Sequence, residues 1–120
     1  NNVIWINSYI PTASEKACIL AEELGHYYTS VGDITNQKDI RKQEHRARRW
    51  AYQRLVPLSK IVQAYHDRIS GRHDLADYFG VTEEFLKEAI QRSKEKYGLY
   101  VTYEQYTICF DPLGVIESFK

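Results

Sequence analysis

The chain contains no methionine, only two cysteines and only three prolines, and its basic and acidic residues cancel. Cys18 and Cys109 stand far apart and outside any metal-type spacing. That argues against a disulfide framework and for a reducing, cytoplasmic setting. No apolar run approaches the ~20 residues of a membrane span, and no signal-peptide pattern is present, so no membrane role is expected. An absent methionine and an opening Asn1-Asn2 lead to the expectation that the natural N-terminus, with any targeting segment, has been lost. Sixteen Lys and Arg against sixteen Asp and Glu give a net charge of zero, so bulk charge points to neither nucleic acid nor membrane surface.

What is present is the composition of an ordinary globular protein: 43% hydrophobic and 27% charged over 120 residues. The expectation is one domain over residues 1–120, burying roughly two thirds of its unfolded surface without staples. Charge is uneven along the chain. From Lys38 to Arg54 there are seven Lys and Arg against two acids, Asp39 and Glu44.

Val3 to Ile6 is rich in β-branched and aromatic residues and reads as a short strand. Thr12 and Glu15 form a capping box that starts a helix, expected to run to about Thr29, before Gly32 and Asp33. Its apolar stripe is Ala17, Leu20, Ala21, Leu24, Tyr28 and Val31; a second stripe carries Cys18, Glu22 and His26. After a polar connection, further helices are expected from about Lys38 to Leu55, Pro57 to about Asp67, His73 to Phe79, and Glu83 to about Lys96. Gly80 closes the fourth. Thr82 caps the fifth, whose early acids and late Lys94 and Lys96 suit the helix dipole. Leu99 to Tyr103 and Tyr106 to Phe110 read as a hairpin around Glu104-Gln105.

The stretch Glu22-Glu23-Leu24-Gly25-His26 carries the chemistry. Residues four apart on a helix share a face, so Glu22 and His26 can point at one ion. Glu23, offset by one residue, lies beside that ion, where a general base takes a proton from activated water. A third ligand must come from another segment, leaving a fourth position open. Glu44, eighteen residues after His26, is the best candidate; His45 is the alternative. Small Ala47 and Ala51 let the two helices approach, and Gly25 removes bulk beside the site. From spacing alone the alternatives stay open: a solvated acidic face and a surface or packing histidine account for the same residues. His66 and His73 have no partner at ligand spacing and read as surface residues.

Two blocks together resemble the ImmA/IrrE family of metallopeptidase-like proteins of phages, mobile elements and bacterial chromosomes. One is Cys18-Ile19-Leu20-Ala21-Glu22-Glu23-Leu24-Gly25-His26-Tyr27-Tyr28. The other is Glu44-x-x-Ala47-x-x-Trp50-Ala51 running on to Leu55 and Pro57. The strand at Ile4 to Asn7 and the later Leu75 to Thr82 also follow the family's order, so the likeness spans roughly residues 3 to 90. The resemblance implies an α+β, mostly α fold, with a zincin-like active-site helix pair, a small β-sheet and a helical C-terminal half. By position it makes His26 the second zinc histidine, Glu23 the catalytic glutamate and Glu44 the acidic third ligand. Glu22 stands where the family's first zinc histidine would be. A Glu/His/Glu set is harder than His/His/Glu, so it shifts preference from Zn2+ toward Mn2+ or another hard divalent ion.

The resemblance further implies an endopeptidase that cleaves a helix-turn-helix repressor in the cytoplasm, the repressor held as an added strand along Val3 to Ile6. The row Arg46, Arg48 and Arg49 reads as a solvated helix face, with an acidic partner as the alternative. Within residues 72–97 a short helix, a glycine turn and a longer helix resemble a helix-turn-helix. Glu83 and Glu84 at the start of the second helix would repel phosphate, so the motif reads as packing architecture. Three functions remain in play: a repressor-cleaving metallopeptidase, a non-catalytic relative that binds a regulatory protein, and a DNA-binding regulator.

Overall fold

The computed structural model describes residues 11–29 and 37–118. The strand expected at Val3 to Ile6 and the polar connection near Asp33 lie outside the described residues. The fold is α+β and mostly helical, with a small antiparallel sheet at the C-terminal end. In chain order the described elements are α1 (Ala13–Thr29), α2 (Gln37–Leu55), α3 (Leu58–His66), α4 (Arg72–Phe79) and α5 (Glu83–Tyr97). Three strands follow: β1 (Tyr100–Tyr103), β2 (Tyr106–Phe110) and β3 (Leu113–Glu117).

Local chemistry sets the helix ends. The Thr12 hydroxyl accepts from the Glu15 amide at 3.1 Å, and the Glu15 carboxylate accepts from the Thr12 amide at 2.9 Å. These are the reciprocal bonds of a capping box. Thr82 caps α5 by accepting from the Phe85 amide at 3.0 Å. α4 closes on Gly80 at φ 71°, and the Val81 amide reaches back to the Ala76 carbonyl at 3.0 Å. This left-handed closure suits glycine.

Strand order is β1-β2-β3, antiparallel throughout. On the central strand Tyr106, Ile108 and Phe110 are buried and alternate with half-exposed Thr107 and Cys109. The buried face packs on α3 and α5, and Ile108 is fully buried. His66 on α3 meets the Tyr106 hydroxyl at 2.6 Å, and Lys94 on α5 pairs with Asp111 at 2.8 Å. The sheet therefore holds α3 and α5 in place, and α5 in turn braces α2 through Tyr52 and Phe85, whose rings meet edge-on at 5.0 Å.

The core face of α1 differs from the expected stripe. Buried residues are Cys18, Ala21 and Gly25, whereas Leu20, Leu24 and Tyr28 are 59%, 38% and 63% exposed. Residue size explains the exchange: only the row of small side chains lets α2 come close enough to bury Ala47 and Ala51 completely. β3 was also not expected. Gly114 interrupts its apolar pattern, and the strand is defined by pairing with β2, Val115 opposite Ile108.

Candidate functional site

At Gly25 the backbone of α1 lies directly against the backbone of α2. A Cβ built there would run into the Ala47 carbonyl oxygen, with the Ala47 Cα also at 3.0 Å. Glycine inside a helix costs roughly 1 kcal/mol relative to alanine, and here it admits a neighbouring backbone. Tyr28 and Trp50 each stand three residues beyond this contact on their own helix. Helical side chains lean toward their N-terminus, so both rings fold back and stack at 5.3 Å.

The expected site residues are arranged around this crossing. Glu22 and His26 are half-buried on α1, four residues apart and flanking the buried row Cys18, Ala21 and Gly25. Glu23 is exposed. Glu44 is exposed on α2, one turn before Ala47, so its turn of helix lies next to the Gly25 contact. The helix pair is thus assembled as the small residues required. Among the described residues, no group of three or more His, Cys, Asp or Glu side chains is gathered closely enough to hold a metal ion. The donor chemistry itself, two carboxylates and an imidazole, suits a divalent cation between zinc and manganese in character.

Two further groups stand beside Glu22: Cys18, which shares its helix stripe and is a core cysteine, and Tyr52, which carries no signal in the sequence pattern. Burial pushes the Cys18 thiol above its ordinary range, opposed by hydrogen bonding with Thr82, with Glu22 a smaller upward influence. This contact ties α1 to the start of α5. Tyr52 is 8% exposed and its phenol is pushed up to about 12, by burial first and then by the charge of Glu88. Its hydroxyl donates to Glu88 on α5 at 3.4 Å.

A basic cleft lies between α2 and α5, about 810 Å³ in volume, with Arg46, Arg49 and Trp50 on one side and Arg92 and Lys96 on the other. The row Arg46, Arg48 and Arg49, expected as a solvated helix face with an acidic partner as the alternative, divides between two hollows. All three are exposed, but Arg46 and Arg49 line this cleft whereas Arg48 lines a separate hollow with Tyr52 and Glu88. At the turn between α4 and α5, Glu83 pairs with Arg72 at 3.6 Å and His73 at 3.5 Å. His66 and His73 are exposed as expected, each with a partner from another element.

Comparison with known proteins gives one result. A family model described as an IrrE N-terminal-like domain, of the peptidase M78 type, matches residues 1–91. That span contains the crossed pair α1 and α2, and it ends inside α5. Neither the curated proteins nor the solved structures include a significant match.

Proposed function

The chain belongs to the peptidase M78 family of IrrE N-terminal-like domains, and from that premise we propose a metal-dependent endopeptidase that cleaves a helix-turn-helix repressor in the cytoplasm. Glu22, His26 and Glu44 would hold the cation, zinc or a harder divalent ion such as manganese. A cation bound there supplies Lewis acidity to a water and to the scissile carbonyl. Glu23 accepts the proton from the attacking water and delivers it to the departing amine as the C–N bond breaks. Glu22 and His26, anchored beside the tightly packed Gly25 seam, orient the substrate-facing edge of α1. Among the described residues no helix is long and apolar enough to cross a membrane.

The observation that carries this reading is the Gly25–Ala47 crossing within the family-matched segment. It packs the helix that carries Glu22, Glu23 and His26 against the helix that carries Glu44, which supports a site shared between the two. Elemental analysis of untagged protein purified without chelator should find near-stoichiometric divalent metal. Glu23→Gln should retain fold and metal while losing cleavage of a co-expressed repressor. A metal-free native protein, or a cleaving Glu23→Gln variant, removes the peptidase assignment.

Glu22 in place of a histidine favours a second reading, a non-catalytic relative that binds the same regulatory partner without cutting it. Repressor capture with no cleavage at any metal concentration would select it. A DNA-binding role draws little support: Glu83, beside Arg72 and His73, and Glu84 put two carboxylates at the start of α5, where phosphate would be repelled.

A further inference from the structure

We infer that the cleft between α2 and α5 is a docking site for a short acidic segment of a partner protein. Among the described residues lining it, four permanent cations, Arg46, Arg49, Arg92 and Lys96, face one carboxylate, Glu95. That carboxylate is already paired with Arg92 at 3.0 Å. The chain as a whole is neutral, so the positive field is local. Three of the four cations are arginines, whose planar fork matches a carboxylate bidentately. An adjoining hollow of about 400 Å³ adds Lys42 and His45 to the same Arg46, Arg49 and Arg92.

Shape and composition select the occupant. The cleft is a groove of about 810 Å³ open to solvent, room for a short length of chain laid along it. Trp50 and Val56 offer apolar contact between the cationic walls, which fits apolar side chains interspersed with Asp or Glu. A single exposed ion pair contributes little; several acting together around a partly dry floor contribute specificity and association rate.

Nucleic acid fits less well. A phosphate backbone needs cations along a track; the basic surface runs on to Lys42 and His45 on one side but meets Glu84, Glu88 and Glu95 set among Arg48, Lys87 and Arg92 on the other. Two of the three aromatic rings at the cleft have one face taken, Trp50 stacking on Tyr28 and Tyr97 on Phe110 at 6.0 Å, and the third, Tyr52, is buried. Arg92 and Lys96 lie beyond the family-matched residues 1–91, so two of the four cations of the cleft come from outside the matched segment. The inference stands apart from the peptidase reading, because docking is measured without cleavage.

The test is fluorescence anisotropy with a short labelled peptide alternating leucine with aspartate and glutamate. It should bind the full chain, weaken as salt is raised, and weaken about tenfold or more with Arg49→Glu or Arg92→Glu, as expected when several charge-assisted contacts are lost together. Arg54→Glu, on α2 but outside the cleft, should leave binding unchanged. Arg49→Gln and Arg92→Gln repeat the measurement without charge reversal, in case the reversed variants misfold. Equal binding of an Asn/Gln version of the peptide overturns the proposal. So does tighter binding of single-stranded or duplex DNA, or self-association through the cleft that the same charge reversals abolish.

Discussion

Gly25 lies directly against the Ala47 carbonyl, with no space for one further carbon between the helices. An alanine at this position gains helix propensity of roughly 1 kcal/mol but must force two backbones apart. Overpacking of this kind costs about 1–3 kcal/mol. Gly25→Ala should therefore be destabilised in urea unfolding despite its better propensity, with any metal-dependent signal reduced. A variant as stable as the parent would mean that the two helices stand further apart.

Glu22→His tests the site through its donor chemistry. Exchanging a carboxylate for an imidazole shifts the set toward softer, borderline ions. Zinc affinity should rise by about tenfold or more, and any preference for manganese should fall, as read by competition with a chromogenic chelator. Unchanged affinity for both ions would take Glu22 out of the ligand set.

Tyr52 predicts an alkaline limit to stability. Its phenol ionises at about 12 in the folded chain, against ~10 in an unfolded one. Between those values the unfolded state has lost the proton and the native state keeps it, so stability falls as pH rises. The contribution is complete below pH ~10 and disappears through ~12. Tyr52→Phe should flatten the alkaline decline in urea midpoint. Near neutrality it should change stability by no more than about 1 kcal/mol, given the long bond to Glu88. An identical alkaline slope in both proteins would contradict the assignment.

Arg68 follows the C-cap of α3 at φ 57°, where the Ile69 amide bonds to the Ala64 carbonyl at 3.0 Å. This is the left-handed closing position that glycine usually takes. An L-residue there costs roughly 1–2 kcal/mol, partly offset because glycine makes the unfolded chain more flexible. Arg68→Gly should raise the thermal midpoint, by up to about 1 kcal/mol of stability. A lower midpoint would reveal a role for the guanidinium.

His66 and Tyr106 join α3 to the sheet through a bond of 2.6 Å. Tyr106→Phe should cost about 0.5–1.5 kcal/mol, and combining it with His66→Ala should add little further loss. A double-mutant cycle measures the coupling; strict additivity would show that the two side chains act separately.

Much of this structure is written in short stretches of the chain, because caps and glycine closures depend on neighbours three to five residues away. Thr12 with Glu15, Thr82 with Phe85, and Gly80 behind Phe79 bound their helices within a residue or so of expectation. The Glu22–His26 spacing and the small residues Gly25, Ala47 and Ala51 were likewise visible as a pattern. Other features depend on distant partners. Periodicity showed that α1 has two faces but not which one α2 would cover. Leu20, Leu24 and Tyr28 carry the stronger apolar signal, yet backbone proximity selected Cys18, Ala21 and Gly25. β3 exists through its ladder to β2, and Arg46 and Arg49 acquired a cleft only when Arg92 and Lys96 arrived from α5. Sequence alone determined where helices start and stop and which residue types could carry chemistry, since those are local matters of hydrogen bonding and side-chain size. Tertiary structure decided which faces meet and where charge concentrates, since those depend on packing between segments that the chain order keeps far apart.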